Sequence, residues 1–256
     1  AGGFGSAHSD RSVDRNGLVS FEAIAPWYRT LETVAFGNAL QRARVACLDD
    51  IASARRALIV GEGNGRFLAA LLKRQPLVKI DCVDGSERML ELARRHVLKT
   101  APDEISRVAF LQHDVAAWTP RDRYDLIVTH FFLDCFSTRK VGHIVAKLSQ
   151  AAAPKATWLL ADFRVPDAGL ARSHASAWLA VMYSFFRSLA GIEASELVDP
   201  SPFLRAEGFV LGRQHLFRFG MLKSELWRKQ PESADPDMSS RAAQTARDLP
   251  TALGSH

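Results

Sequence analysis

Four apolar residues, Ala57-Leu58-Ile59-Val60, run directly into Gly61-Glu62-Gly63-Asn64-Gly65, and a helical apolar pattern follows from Phe67 to Leu72. Few folds accommodate such a stretch. An apolar run without alternation suits a parallel strand that is covered on both faces. Three glycines at alternate positions weaken the elements on either side. They fit where the backbone must turn sharply and bring a ligand against the main chain, at the start of the next helix. The stretch predicts a nucleotide-type cofactor loop after the first strand of a doubly wound α/β sheet.

The rest of the chain keeps that rhythm. Residues 66–74 predict a crossover helix, and Val78 to Val83 a second strand that ends at Asp84. An acid in that place, about twenty residues beyond the glycine loop, is where a doubly wound fold holds ribose hydroxyls. Arg107 to Gln112, Tyr124 to Thr129 and Thr157 to Phe163 read as the third, fourth and fifth strands, with an amphipathic helix from Val141 to Ala152 ended by Pro154. Pro200 to Ala206 reads as a short helix closed by Gly208, and residues 209–219 and 220–229 as two long strands around a glycine turn.

The spacing of the loop narrows the cofactor. A dinucleotide fold requires G-x-G-x-x-G, whereas here the glycines are Gly61, Gly63 and Gly65 with Glu62 between them. A carboxylate there repels a pyrophosphate and can pair with an amino group. The loop resembles the first motif of class I S-adenosylmethionine-dependent methyltransferases. Asp84-Gly85-Ser86-Glu87-Arg88-Met89-Leu90 is similar to the D-x-S-x-x-M-L pattern of their small-molecule members, including those that act on quinone precursors. The resemblance covers about residues 55–229. It implies a Rossmann-like seven-stranded sheet whose seventh strand is antiparallel between the fifth and sixth, an N-terminal helical cap and a helical lid insertion. It also implies roles. Gly61, Glu62, Gly63 and Gly65 would hold the methionine end of the cofactor, Asp84 the ribose with Gly85 and Ser86 beside it, and Met89, Asp114 and Val115 the adenine. Thr129 and His130, where the chain turns toward the methyl-transfer position, would also contact the cofactor, His130 through its backbone.

The implied reaction is in-line displacement of the sulfonium methyl by a small-molecule acceptor, leaving S-adenosylhomocysteine. A base helps only where the acceptor's pKa exceeds the working pH. His130 is the first candidate, and Asp134, four residues on, would share its face if a helical turn begins there. Tyr28 in the cap and Tyr183 in the lid are further candidates. Residues 168–190 carry His174, Trp178, Met182, Tyr183 and Phe186 at helical spacing, which suits a flat, aromatic or apolar acceptor. The proline-bearing signatures of nucleobase methylation are missing after the fourth strand, and Cys135 reads as a small packing group.

Composition sets the outer limits. A net charge of +5 is mild, and 47% hydrophobic with 24% charged residues describes an ordinary globule. Three cysteines without C-x-x-C spacing argue against a disulfide framework, and no cluster has metal-ligand spacing, so no metal is expected. Without a signal peptide or a membrane-length apolar run, a cytoplasmic monomer or homodimer without a nucleic-acid partner is the expectation. The expected layout is a disordered N-terminus over 1–17, a helical cap over 18–50, the cofactor domain over 51–229 with its lid at about 165–206, and a flexible tail over 230–256. The alternatives are an NAD-dependent oxidoreductase and, from the basic pI, an RNA-modifying or RNA-binding protein.

Overall fold

A computed structural model describes residues 38–52, 54–166 and 197–231. Its centre is one seven-stranded sheet built from β1 (Arg56–Val60), β2 (Lys79–Asp84), β3 (Val108–Gln112), β4 (Tyr124–His130), β5 (Ala152–Phe163), β6 (Phe209–Phe217) and β7 (Leu222–Lys229). The spatial order is β3-β2-β1-β4-β5-β7-β6. The first five strands pair in parallel, and β7 runs antiparallel to both β5 and β6. This is the doubly wound sheet with an inverted terminal hairpin that the sequence implies.

The helices among the described residues are α1 (Ala39–Val45), α2 (Arg66–Arg74), α3 (Glu87–Thr100), α4 (Thr138–Gln150) and α5 (Ser201–Ala206). Two apolar layers sandwich the sheet. One gathers Phe67, Leu68, Leu71 and Leu72 of α2 on Ala57, Ile59, Ile80 and Val128. The other gathers Val141, Ile144, Val145 and Leu148 of α4 on Leu58, Ile127, Trp158 and Trp227. Each central strand is therefore apolar on both faces, as its unbroken apolar run requires. The end of α2 is tied down from a distance. The Arg107 guanidinium donates to the carbonyls of Leu72 at 2.9 Å, Gln75 at 2.8 Å and Val78 at 3.2 Å, so one side chain satisfies acceptors that the helix end leaves open.

Two boundaries depart from the sequence reading. The helix expected over 141–152 starts earlier and ends at Gln150, and β5 begins at Ala152 and includes Pro154. Proline is tolerated there because the pairing with β4 is broken. The register shifts between Tyr124 and Leu126, and Lys155 takes a left-handed φ of 63°. The hairpin turn is also longer than expected, with Arg218, Phe219 and Gly220 all at positive φ. Of the expected cap, α1 and a 3-10 turn at Leu48–Asp50 are described. The expected N-terminal segment over 1–17, most of the cap, most of the lid and the tail lie outside the described residues, as do Tyr28 and Tyr183. Among the described residues no helix is long and apolar enough to cross a membrane.

Candidate cofactor site

A cleft opens at the carboxyl ends of β1 to β4, where the strand order reverses and open α/β sheets bind ligands. Val60, Gly61 and Gly63 line it from β1, and Val83, Asp84, Gly85, Ser86 and Met89 from β2 and α3. His113, Asp114 and Val115 follow β3, and Phe131, Phe132, Cys135, Phe136 and Lys140 close the side beyond β4.

The glycines of the loop are needed for different reasons. Gly61 has φ 69°, and a Cβ built there would lie 2.4 Å from Cδ2 of Phe132, so the loop and the aromatic wall close on each other only through a glycine. Gly63, at φ 74°, lines the cleft itself. Gly65, at φ 81°, faces away from it. A Cβ there would meet the backbone of Ala93 at 2.7 Å, so this glycine lets α3 pack against the start of α2.

Glu62 does not line the cleft. Its side chain is buried, and Oε1 accepts the amide of Leu68 at 3.0 Å, with the Phe67 amide also bonded to the carboxyl. Gly65 occupies the N-cap position of α2 and has no side chain to cap with. Glu62 supplies that function from three residues upstream, and its charge suits the positive end of the helix. Burial raises its pKa to about 7, against the opposing effect of the two amides and of Arg44. The expectation that this acid reaches into the site rested on the loop's spacing; the unmet amides of α2 drew it inward instead.

At β2 the geometry follows the motif closely. Ser86 caps α3 by accepting the Met89 amide at 3.2 Å, while Oδ1 of Asp84 accepts the Ser86 amide at 2.9 Å. That bond fixes the Asp84 carboxylate at the mouth of the cleft. Asp114 is held in the same way, with Oδ1 accepting the Ala116 amide at 2.9 Å, and Val115 behind it is buried. A carboxylate, a thioether, a buried valine and a glycine cradle line one cleft. This set fits a nucleoside that carries an amino-acid tail.

Thr129 and His130 do not reach the cleft. Thr129 is fully buried and accepts a hydrogen bond from Nε1 of Trp158 at 2.8 Å. The His130 ring meets Phe67 edge-on, with centroids 4.5 Å apart, and its buried Nδ1 has no hydrogen-bond partner among the described residues. Burial and the nearby Arg44 push its pKa well below the ordinary value, so the ring stays neutral. The shared helical face with Asp134 does not form, because β4 continues through His130 and the 3-10 turn starts only at Leu133. Asp134 instead lies beside Cys135 and Asp162.

The aromatic wall escaped the sequence reading. Phe131, directly after β4, has φ 52°, a conformation rare outside glycine, and so turns the chain across the cleft. Only the position of this loop at the carboxyl end of the sheet signalled it. Among the described residues, Cys47, Asp50 and His215 bring potential ligand atoms within 4.8 Å of one another, away from the cleft. Asp50 is already paired with Arg213 at 3.1 Å.

Residues 58–157 match the family model described as a methyltransferase domain. No curated protein matches the sequence. Among solved structures, an O-methyltransferase family protein from Burkholderia thailandensis is similar, with a TM-score of 0.63 at 16% identity over 84% of this chain and 64% of its own. An O-methyltransferase family 2 protein from Planctomyces limnophilus, in complex with apigenin, gives 0.61 at 16% identity over 81% and 62%. A methyltransferase of calicheamicin biosynthesis in its SAH-bound form gives 0.57 at 23% identity over 80% and 57%. The chain thus spans less than two thirds of these proteins. The shared fold is that of the class I S-adenosylmethionine-dependent methyltransferases.

Proposed function

We propose that this protein transfers a methyl group from S-adenosylmethionine to a small-molecule acceptor. One observation carries the reading. Asp84 holds its carboxylate at the end of β2 and lines one cleft with Gly61, Gly63, Met89 and Asp114. The matched methyltransferase domain supports it independently. The relatives named as O-methyltransferases suggest an oxygen acceptor, and the one solved with apigenin suggests a flat, aromatic one.

The bound cofactor would supply a methyl group on a good leaving group, so the protein's task is alignment and exclusion of water. Gly61 and Gly63 offer the main chain to the methionine end. Asp84 binds the ribose hydroxyls, with Gly85 and Ser86 forming the adjoining turn. Met89 and Val115 flank the adenine, and Asp114 accepts from its amino group. Glu62, Gly65, Thr129 and His130 act from behind by shaping the loop and the end of β4. Phe131, Phe132 and Phe136 form an apolar wall toward the acceptor. We assign residues 51–229 to the catalytic unit, with 18–50 as its cap and about 165–206 as its lid, which would bring Tyr28 and Tyr183 to the acceptor side.

Calorimetric titration with S-adenosylmethionine, S-adenosylhomocysteine and NAD tests the reading. The expected result is binding of the first two, weakened at least tenfold in Asp84→Ala, and no heat from NAD. A folded wild type that binds NAD, or that binds neither methionine derivative, overturns it.

A further inference from the structure

Beyond Cys135, on the β5 side of the cleft, two carboxyl groups are buried together. Asp134 is 5% exposed and Asp162 1% exposed, and the two side chains are within hydrogen-bonding reach. Two carboxylates cannot bond to each other unless one carries a proton. The donors around them do not remove that need. Oδ1 of Asp162 accepts its neighbour's amide, from Phe163, at 3.0 Å, whereas its buried Oδ2 receives no N–H or O–H from the described residues. Oδ1 of Asp134 meets Sγ of Cys135 at 3.7 Å, a weak donor.

Charge around the pair points the same way. Lys223 stands opposite Asp162 across β5 and β7, but it donates to Asp199 at 2.9 Å and lies 3.4 Å from Glu225 and from Oγ of Ser201. Its one positive charge is therefore divided among several acids. Asp84 adds negative charge across the cleft, where its field reaches Cys135, and Lys140 lines the cleft from α4. Burial and mutual repulsion raise Asp162 well above the carboxylate range, and burial raises Asp134 to about 6.

We propose that the buried Asp134–Asp162 pair releases a proton when a cationic sulfonium ligand enters the adjoining cleft. This rests on the methyl-transfer reading, and it adds a discriminating function to that site. S-adenosylmethionine carries a positive sulfonium, whereas S-adenosylhomocysteine has the same body with a neutral sulfur. A pair that has given up a proton, one side chain behind the wall, favours the charged form, and a pair that retains it favours it less. The pair thus helps hold the charged donor and release the spent product. It acts by position and field and is not assigned contact with the reacting atoms.

The sign follows directly. A cation is held better as negative charge builds beside it, and the pair gains one charge as Asp134 titrates near 6, so affinity for S-adenosylmethionine relative to S-adenosylhomocysteine rises as the pH rises from 5 to 7. Roughly three- to tenfold is expected for a partly screened interaction of this kind. Titrating both ligands across that range, in two buffers of different ionisation enthalpy, measures the affinity ratio and the proton released. Groups that respond to both ligands alike cancel in the comparison. The expected result is proton release with S-adenosylmethionine in excess of that with S-adenosylhomocysteine, a ratio that climbs with pH, and a flat ratio in Asp134→Asn. The wild-type measurement stands alone should that variant not fold. A flat wild-type ratio with equal proton release overturns the proposal and leaves the methyl-transfer reading intact. Binding of neither ligand overturns both.

Discussion

Glu62 shows how one buried side chain couples the loop to pH. Its carboxyl is bonded to the amides of Phe67 and Leu68 and titrates near 7 in the folded protein, well above an unfolded glutamate. The folded state therefore binds the proton more tightly than the unfolded chain. The stability it contributes is fully present below the unfolded pKa and is lost as the pH rises through 7. In Glu62→Gln the amide oxygen still accepts from the helix, and the titration is gone. Denaturant unfolding at pH 5 and pH 8 should show that wild type loses roughly 1–3 kcal/mol more than Glu62→Gln over that interval. Equal losses in the two proteins would mean that the carboxylate does not feel its burial. Glu62→Ala is a different change, because it strands two buried amides. It should destabilise by roughly 1–3 kcal/mol at either pH.

At the scale of elements, the glycine loop separates packing from binding. Gly65 has a left-handed φ and the backbone of Ala93 at 2.7 Å from a would-be Cβ, whereas Gly85 has no atom within 4 Å of one. Gly65→Ala should lower stability by roughly 2–4 kcal/mol through strain and displacement of α3. Gly85→Ala should stay within about 0.5 kcal/mol of wild type. Thermal unfolding of the two variants decides this, and equal losses would refute the distinction. These two glycines also mark what the sequence makes legible. Seven strands were readable, because apolar runs and glycine spacing are local signals, and the place of β7 between β5 and β6 came with the family resemblance. The inward turn of Glu62 was not, since it depends on Gly65 having nothing to cap α2 with. Nor was the separation of His130 from Asp134, which hinges on how far β4 extends before the chain turns. The wall of Phe131, Phe132 and Phe136 carries no periodic signal, and its place in the cleft is set by a positive φ at Phe131.

At the scale of the whole molecule, the two halves of the sheet carry different burdens. Every residue that lines the cleft belongs to β1 or β2 or follows one of the strands β1 to β4, whereas β5, β7 and β6 contribute none. Trp227 is the clearest case of the latter. It is fully buried, pairs in register with Trp158, lies under the Arg205 guanidinium at 5.4 Å, and donates from Nε1 to Glu225 at 3.0 Å. Asp162 and Lys223 pair four residues further along the same two strands, about 13 Å away at the usual rise. Trp227→Phe removes volume and one buried hydrogen bond to Glu225, which keeps Lys223 at 3.4 Å, so it should cost about 1–3 kcal/mol of stability. Affinity for S-adenosylmethionine, measured well below the unfolding transition, should stay within about twofold, since Trp227 lines no part of the cleft and well-separated sites act nearly independently. A tenfold loss of affinity in the folded variant would show that the hairpin half sets the geometry of the cofactor half. The division of labour would then have to be redrawn to include β7. With affinity unchanged, the hairpin is a support for the sheet, and the search for acceptor-binding residues moves to the carboxyl ends of β4 and β5.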